Sequence, residues 1–253
     1  MKTMQLFITP LINEMAGFAL ILLVWVFASF FYPVYIIPSP WEVVNNLNGL
    51  MLQNFIGHLQ ITFFRIGTGF TISMVVGTAI GVWATIKKKT ATLNSMMMVI
   101  QVLPGMILAV IFLLLFGLGN LTPIILIATL TLPTLVINTM NGLAKRSTAL
   151  EEYLSTIKSR QSVWFSHIIF PTLVPVLGSN FSLGIGLAAK IVVMGEFVGA
   201  QDGLGYLLNN ARITFDMRMV FFYLVILLLV TLFFQAVQSL CFSIAFKKYF
   251  YAE

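Results

Sequence analysis

The chain has 253 residues, of which 59% are hydrophobic and only 9% charged, whereas soluble domains carry about 25% charged residues. That leaves too little polar surface to cover a soluble fold, so the apolar excess calls for a bilayer. The net charge of +6 gathers at the ends of apolar runs with no aromatic-interleaved basic stripe, which argues against nucleic acid, and the lone Cys241 excludes an internal disulfide or a multi-cysteine metal site.

A helix needs about 20 apolar residues to cross the hydrocarbon core. Six segments qualify: Met15–Tyr35, Leu59–Ile86, Met96–Phe116, Leu121–Met140, Thr172–Val193 and Met217–Phe246. The first lacks a cleavage pattern and reads as a retained span rather than a signal peptide. After it, Ser39-Pro40-Trp41-Glu42 places a capping residue before a proline, the start of a short helix. Gly117–Asn120 is a tight turn. The last segment is long enough to tilt or to extend past the membrane. Pro104, Pro123, Pro133 and Pro175 interrupt apolar runs and predict kinks.

With the N-terminus inside, ten of the fourteen basic residues fall on the cytoplasmic side: Lys2, Lys87, Lys88, Lys89, Lys145, Arg146, Lys158, Arg160, Lys247 and Lys248. Only Arg212 and Arg218 fall outside, while Arg65 and Lys190 lie within spans. This asymmetry predicts cytoplasmic termini in an inner (cytoplasmic) membrane. One transmembrane domain, 1–253, is expected, an all-α polytopic bundle of about six spans.

The longest inside loop, 143–170, is too polar to span. Leu150, Tyr153, Leu154 and Ile157 nevertheless fall at helical spacing and form one apolar face. A second apolar run starts at Val163-Trp164-Phe165, and Pro171 opens the next span. Two short helices with a turn near Lys158–Ser162 are predicted. Such a pair can lie on the membrane surface or fill a groove in a partner.

The stretch from Glu152 to Pro171 resembles the EAA loop of ABC-importer permeases, the binding-protein-dependent transport family. Glu152, Ile168 and Pro171 sit at the motif's offsets, and Phe170 stands where leucine is usual. Tyr153 and Leu154 replace the two alanines, and Lys158 replaces the glycine. A left-handed turn at Lys158 would cost about 1 kcal/mol or more. Either coupling is weakened and a sister subunit carries the better motif, or the turn has moved by a residue or two.

Other stretches are similar to nitrate-, sulfonate- and taurine-type permeases. They are Ile37-Pro38-Ser39-Pro40 with Glu42-Val43, His58-Leu59 with Arg65 and Gly69-Phe70, Pro104 with Phe116-Gly117-Leu118-Gly119, and Glu196 with Gly199 and Gly203-Leu204-Gly205-Tyr206.

The resemblance implies a type I ABC-importer permease fold. It implies a pathway shared with a second permease subunit, as homodimer or heterodimer, and docking of an ABC ATPase through loop residues Glu152, Tyr153, Leu154, Lys158, Ile168 and Pro171. A small solute would arrive from an extracytoplasmic solute-binding protein, which would do most of the selecting. ATP and Mg would be bound by the ATPase. This chain has no Gly-Lys-Ser/Thr triplet and no cofactor of its own is expected.

Lys190 and Glu196 lie in or near the fifth span, which is rich in glycine, alanine and serine. An ionisable group there faces a cavity or a partner. Lys190 and Glu196 are the candidate pathway residues, with Glu196 near the outer mouth or as a solvated acid at the helix end. Six residues separate them, which discourages pairing within one helix. The alternative for Lys190 is a structural pair with a carboxylate elsewhere, or a reach toward water. Arg65 is expected to snorkel to the interface.

His58 and His167 fall in opposite loops and cannot share a metal, and no hydrolase motif is present. An enzyme is therefore not expected. The alternative to a permease is a secondary transporter or membrane scaffold independent of an ATPase, marked by inverted repeats or a polar midplane site.

Overall fold

The computed structural model describes residues 17, 19–45, 54–156 and 160–246. These residues form helices and turns: α1 (Ala19–Ser29), α2 (Pro40–Asn45), α3 (Phe55–Ile86), α4 (Thr90–Val102), α5 (Gly105–Phe116), α6 (Leu121–Ala144), α7 (Thr148–Thr156), α8 (Gln161–Trp164), α9 (Phe170–Gly199), α10 (Leu204–Ile213) and α11 (Met217–Phe246). A π-helical turn, Phe165–Ile169, joins α8 to α9.

Four helical stretches are long and apolar enough to cross a bilayer: Phe55–Ile86, Leu121–Ala144, Ser162–Gly199 and Met217–Phe234. The α4–α5 pair makes a fifth when taken as one broken span, and Ala19–Ser29 is shorter. The last five apolar segments fall on these helices; of the first, Met15–Tyr35, the described residues are helical over Ala19–Ser29 and turn over 30–36, short of a full span. In the third, Met96–Phe116, the kink expected at Pro104 is a full break, where two helices meet at 86°. Pro104 is the cause. It lacks an N–H, and its ring drives Leu103 out of the helical region to φ −65°, ψ 127°. Pro133 and Pro175, by contrast, sit inside continuous helices.

The described residues gather into two compact units, one drawn from 1–55 and 208–226, the other from 56–207 and 227–253. In the first, Trp25 donates Nε1–H to the Pro38 carbonyl (2.9 Å) and stacks on Phe221 with centroids 5.1 Å apart. Helix α2 starts as its sequence predicts. Ser39 N–H donates to Glu42 Oε2 (3.2 Å) while Glu42 N–H donates to Ser39 Oγ (3.3 Å). This reciprocal box satisfies two N–H groups that the first turn leaves open.

In the second unit α6 packs most extensively against α9, and α5 packs on both. Ile66, Phe70, Ala109, Leu126, Ile127, Ala188 and Val192 form its main core. Helix α3 approaches α6 closely because glycine removes the obstacle. A Cβ on Gly81 would stand 2.6 Å from Thr139 Cβ, so any larger residue would force the helices apart. A smaller cluster of Ala84, Met97, Val136 and Met140 seats α4.

Candidate functional site

At the Glu196 end of α9, four segments converge on one buried ion pair. Arg65 of α3 and Glu196 are both fully buried, with Nη1 3.0 Å from Oε1. Arg65 therefore does not snorkel; its guanidinium is held inside the bundle. It donates Nε–H (2.9 Å) and Nη2–H (2.6 Å) to Asn120 Oδ1. It also donates from Nη1 to the Asp202 carbonyl (2.8 Å), and its Nη2 pairs with the Asp202 carboxylate. Five guanidinium donors in a planar fork suit such a multi-sided cradle, which a lysine could not fill.

The acid is equally engaged. Glu196 accepts from Thr62 Oγ1 (2.9 Å) and from Gly205 N–H (2.9 Å). Thr62 Oγ1 accepts from Leu204 N–H (2.9 Å), and His58 Nδ1 accepts from Gly203 N–H (3.0 Å). His58 thus lies in the first turns of α3, not in a loop, and the ring stacks near Tyr206. Among the described residues no buried side-chain nitrogen or oxygen lacks a partner.

Local sequence explains the geometry. Gly203 has φ +98°, and a Cβ there would fall onto the Glu196 carboxylate. Gly205 would place its Cβ 2.7 Å from Glu196 Cβ. Only glycine lets this turn wrap the acid and aim its N–H groups inward. The Gly117–Asn120 turn works alongside it. Gly119 N–H donates to the Gly199 carbonyl (2.9 Å), which sets Asn120 under Arg65.

This placement corrects the expectation for Glu196. It is neither a solvated acid nor a pore-lining one, but the buried half of an ion pair. Its partner is Arg65 on another helix, and Lys190 is a separate matter. Lys190 is exposed on α9 and has no ion pair among the described residues.

A second polar cluster lies midway along the helices. Asn138 Nδ2–H donates to Ser179 Oγ (3.0 Å) and Asn180 Oδ1 (2.8 Å). Asn180 Nδ2–H donates to Thr78 Oγ1 (3.1 Å) and Thr139 Oγ1 (2.8 Å). The cluster ties α3, α6 and α9 together, and Asn180 is fully buried. Its donors and acceptors are spent on one another, so it is a packing network rather than an open solute site.

The loop between α6 and α9 carries the other expected residues. Arg146 donates Nε–H to Glu151 Oε2 (2.9 Å) and Nη1–H to the Leu143 carbonyl (3.2 Å), fastening α7 to the end of α6. On α7, Leu154 is buried while Tyr153 is 61% exposed and Glu152 is exposed. Ile157 and Lys158 lie outside the described residues. Ile168 is buried, and Pro171 is exposed on the same continuous helix.

Pro171 stands in the first turn of α9, where the sequence predicts the span to start, but α9 is continuous with α8 through the π turn in one run from Ser162 to Gly199. The π turn accommodates it. Phe170 N–H reaches back five residues to the Phe165 carbonyl, widening the helix where Pro171 has no N–H to give. The two histidines are far apart in this chain order, and no cluster of three potential metal ligands occurs among the described residues.

A family model described as the binding-protein-dependent transport system inner membrane component matches residues 77–241. The chain is 28% identical over 179 residues to an aliphatic sulfonates transport permease protein, SsuC, of Bacillus subtilis, covering 70% of this chain and 65% of that one. It is 27% identical over 201 residues to the formylaminopyrimidine transport permease protein ThiX of Halalkalibacterium halodurans, covering 79% and 80%. It is 28% identical over 209 residues to the riboflavin transport system permease protein RibX of Chloroflexus aurantiacus, covering 79% and 76%. In fold it is similar to a chain of the MetNI methionine ABC transporter in an inward-facing conformation, with TM-score 0.69 and 17% identity over 79% of this chain and 99% of that one.

Proposed function

Because this chain belongs to the family of binding-protein-dependent transport system inner membrane components, we propose that it and a second permease subunit enclose the path of a small solute through the membrane. It is a multi-pass membrane protein, the permease subunit of an ABC importer and not itself an ATPase. An extracytoplasmic binding protein delivers the solute, and a separate ATPase, which binds ATP and Mg, drives the cycle. Both termini and the 143–170 loop face the cytoplasm, in keeping with the basic residues there.

The observation that carries this reading is the build of α7. One side is fastened through the Arg146–Glu151 pair and buries Leu154, and the other turns Tyr153 outward. A helix held on one face with an exposed aromatic on the other suits a groove in a partner protein. Co-purification in mild detergent tests it. An ATPase and a second permease copy should accompany the tagged chain, and a thiol introduced at Tyr153 should crosslink to the ATPase. Labelling of that thiol from the extracytoplasmic side would overturn the reading.

Lys190 lines the pathway and favours an anionic or polar solute. Support comes from its exposure on α9 in a register with Ser179, Leu183 and Gly186, and from its having no ion pair among the described residues. The relatives' names span sulfonates, a formylaminopyrimidine and riboflavin, so the family alone does not name the solute. A charge-assisted hydrogen bond contributes about 1.5–3 kcal/mol, so Lys190→Met should lower uptake about tenfold or more at equal membrane abundance. Unchanged uptake would remove Lys190 from the pathway.

A further inference from the structure

Between α3 and the start of α9 lies an open groove of about 540 Å³, running past Thr78 from Met74 to Ile86. Val82 and Ile86 line one wall, Leu173 and Leu177 the other, and Trp83 and Phe165 flank its end. Trp83 and Phe165 are 49% and 43% exposed, which leaves the groove mouth uncovered by this chain. From Met74 to Ile86 it runs about 18 Å at 1.5 Å per residue, close to the thickness of one leaflet's hydrocarbon, about 15 Å.

The groove does not end in neutral surface. Immediately after Ile86 come Lys87, Lys88 and Lys89, all exposed. Lys89 Nζ stands 5.9 Å from the Trp83 ring centroid, which keeps the cation at the groove mouth. No aspartate or glutamate occurs between Glu42 and Glu151, or between Glu152 and Glu196. Neither helical wall therefore carries an acid to neutralise the lysines along the groove.

We propose that this groove binds an anionic phospholipid, with one acyl chain between α3 and α9 and the phosphate on Lys87–Lys89. An apolar slot one leaflet long that ends in a row of cations matches the two halves of such a molecule. Each lysine near an anionic head group contributes attraction at the interface, and basic pockets between membrane helices are known to hold such groups. The acyl chain would touch Phe165, the first residue of the π turn. A bound lipid thereby supports the segment through which α7 joins α9. This last consequence rests on the coupling role of α7; the binding itself does not.

Native mass spectrometry of the purified transporter tests the binding, with phosphatidylglycerol or phosphatidylcholine added. The wild type should retain phosphatidylglycerol in preference. The exposed triple variant Lys87→Gln, Lys88→Gln, Lys89→Gln should lose that retention by on the order of a hundredfold, at about fivefold per lysine. Ala79→Trp, an exposed change in the groove, should abolish retention of both lipids while thermal unfolding stays unchanged. Undiminished phosphatidylglycerol retention in the triple variant overturns the proposal. So does efficient crosslinking of a thiol at Ala79 to another protein chain, which would show the groove filled by a second copy or a partner. If the lipid binds and uptake is indifferent to it, the site stands and the support of the π turn falls.

Discussion

At the Glu196 end, α9 is tied to three other segments by charged hydrogen bonds, and every buried polar atom described there is matched. At the loop end the same helix widens into a π turn whose Phe165 and Phe170 are 43% and 56% exposed, and only Ile168 and Ile169 are buried. The first end is a fixed clasp. The second is held by a few apolar contacts and one non-standard turn. On the proposed function the first is a reference point, and the second a segment to be displaced when a partner ATPase moves the loop. Variants at the first end should therefore act on stability and variants at the second on transport.

The largest stability effect is expected at the ion pair. Removing one partner leaves a buried charge without compensation, which costs about 3–5 kcal/mol. Arg65→Ala should therefore lower both the thermal midpoint in detergent and the amount of protein in the membrane. The double change Arg65→Met with Glu196→Leu should recover much of that loss, since neither charge is then stranded. A tolerated Arg65→Ala would show that the clasp does not carry the anchoring assigned to it.

Gly203→Ala comes next, at about 2–3 kcal/mol from a left-handed backbone and the collision with the Glu196 carboxylate. The loss should shrink when Glu196 is also shortened to alanine, which a purely conformational cost would not do. Asn180→Ala follows at about 1–2 kcal/mol, because Asn138 and the two threonines lose one partner each. Urea or thermal unfolding in detergent reads both.

Parts of this contrast were legible in the sequence, and the reasons are local. The limits of Met217–Phe246 followed from unbroken hydrophobicity, and α2 from four residues of capping chemistry. The helix α7 followed from helical spacing, but its expected apolar face did not: Leu154 is buried while Leu150 and Tyr153 are exposed, and Ile157 lies outside the described residues. The clasp did not. Arg65 and Glu196 are 131 positions apart, and no periodicity links residues on different helices. The residues were each visible in the resemblance to sulfonate-type permeases, but a resemblance lists positions without saying which touch. Gly203 and Gly205 were visible a few positions after Glu196, but nothing along the chain said that their backbone folds back onto its carboxylate. Pro104 and Pro171 were equally visible and gave opposite outcomes. One breaks the chain by 86°, the other is absorbed. The difference lies in packing, since nothing in a proline's neighbours along the chain says whether a π turn will form.

The smallest stability effect belongs to α7. Tyr153 is exposed, and surface substitutions away from caps and cores stay within about 0.5 kcal/mol. Tyr153→Ala should therefore leave the thermal midpoint and membrane abundance unchanged. Its transport should nonetheless fall several-fold, because the removed ring belongs to the face of α7 that points away from the bundle. Leu154→Ala is the necessary counterpart. It removes a buried side chain from the same helix, one position on, and should reduce stability and transport together. If Tyr153→Ala lost stability, the helix would be packed on both faces and could not serve as a docking surface. If both variants transported like the wild type, the loop end would be inert and the distinction between the two ends of α9 would have no bearing on function.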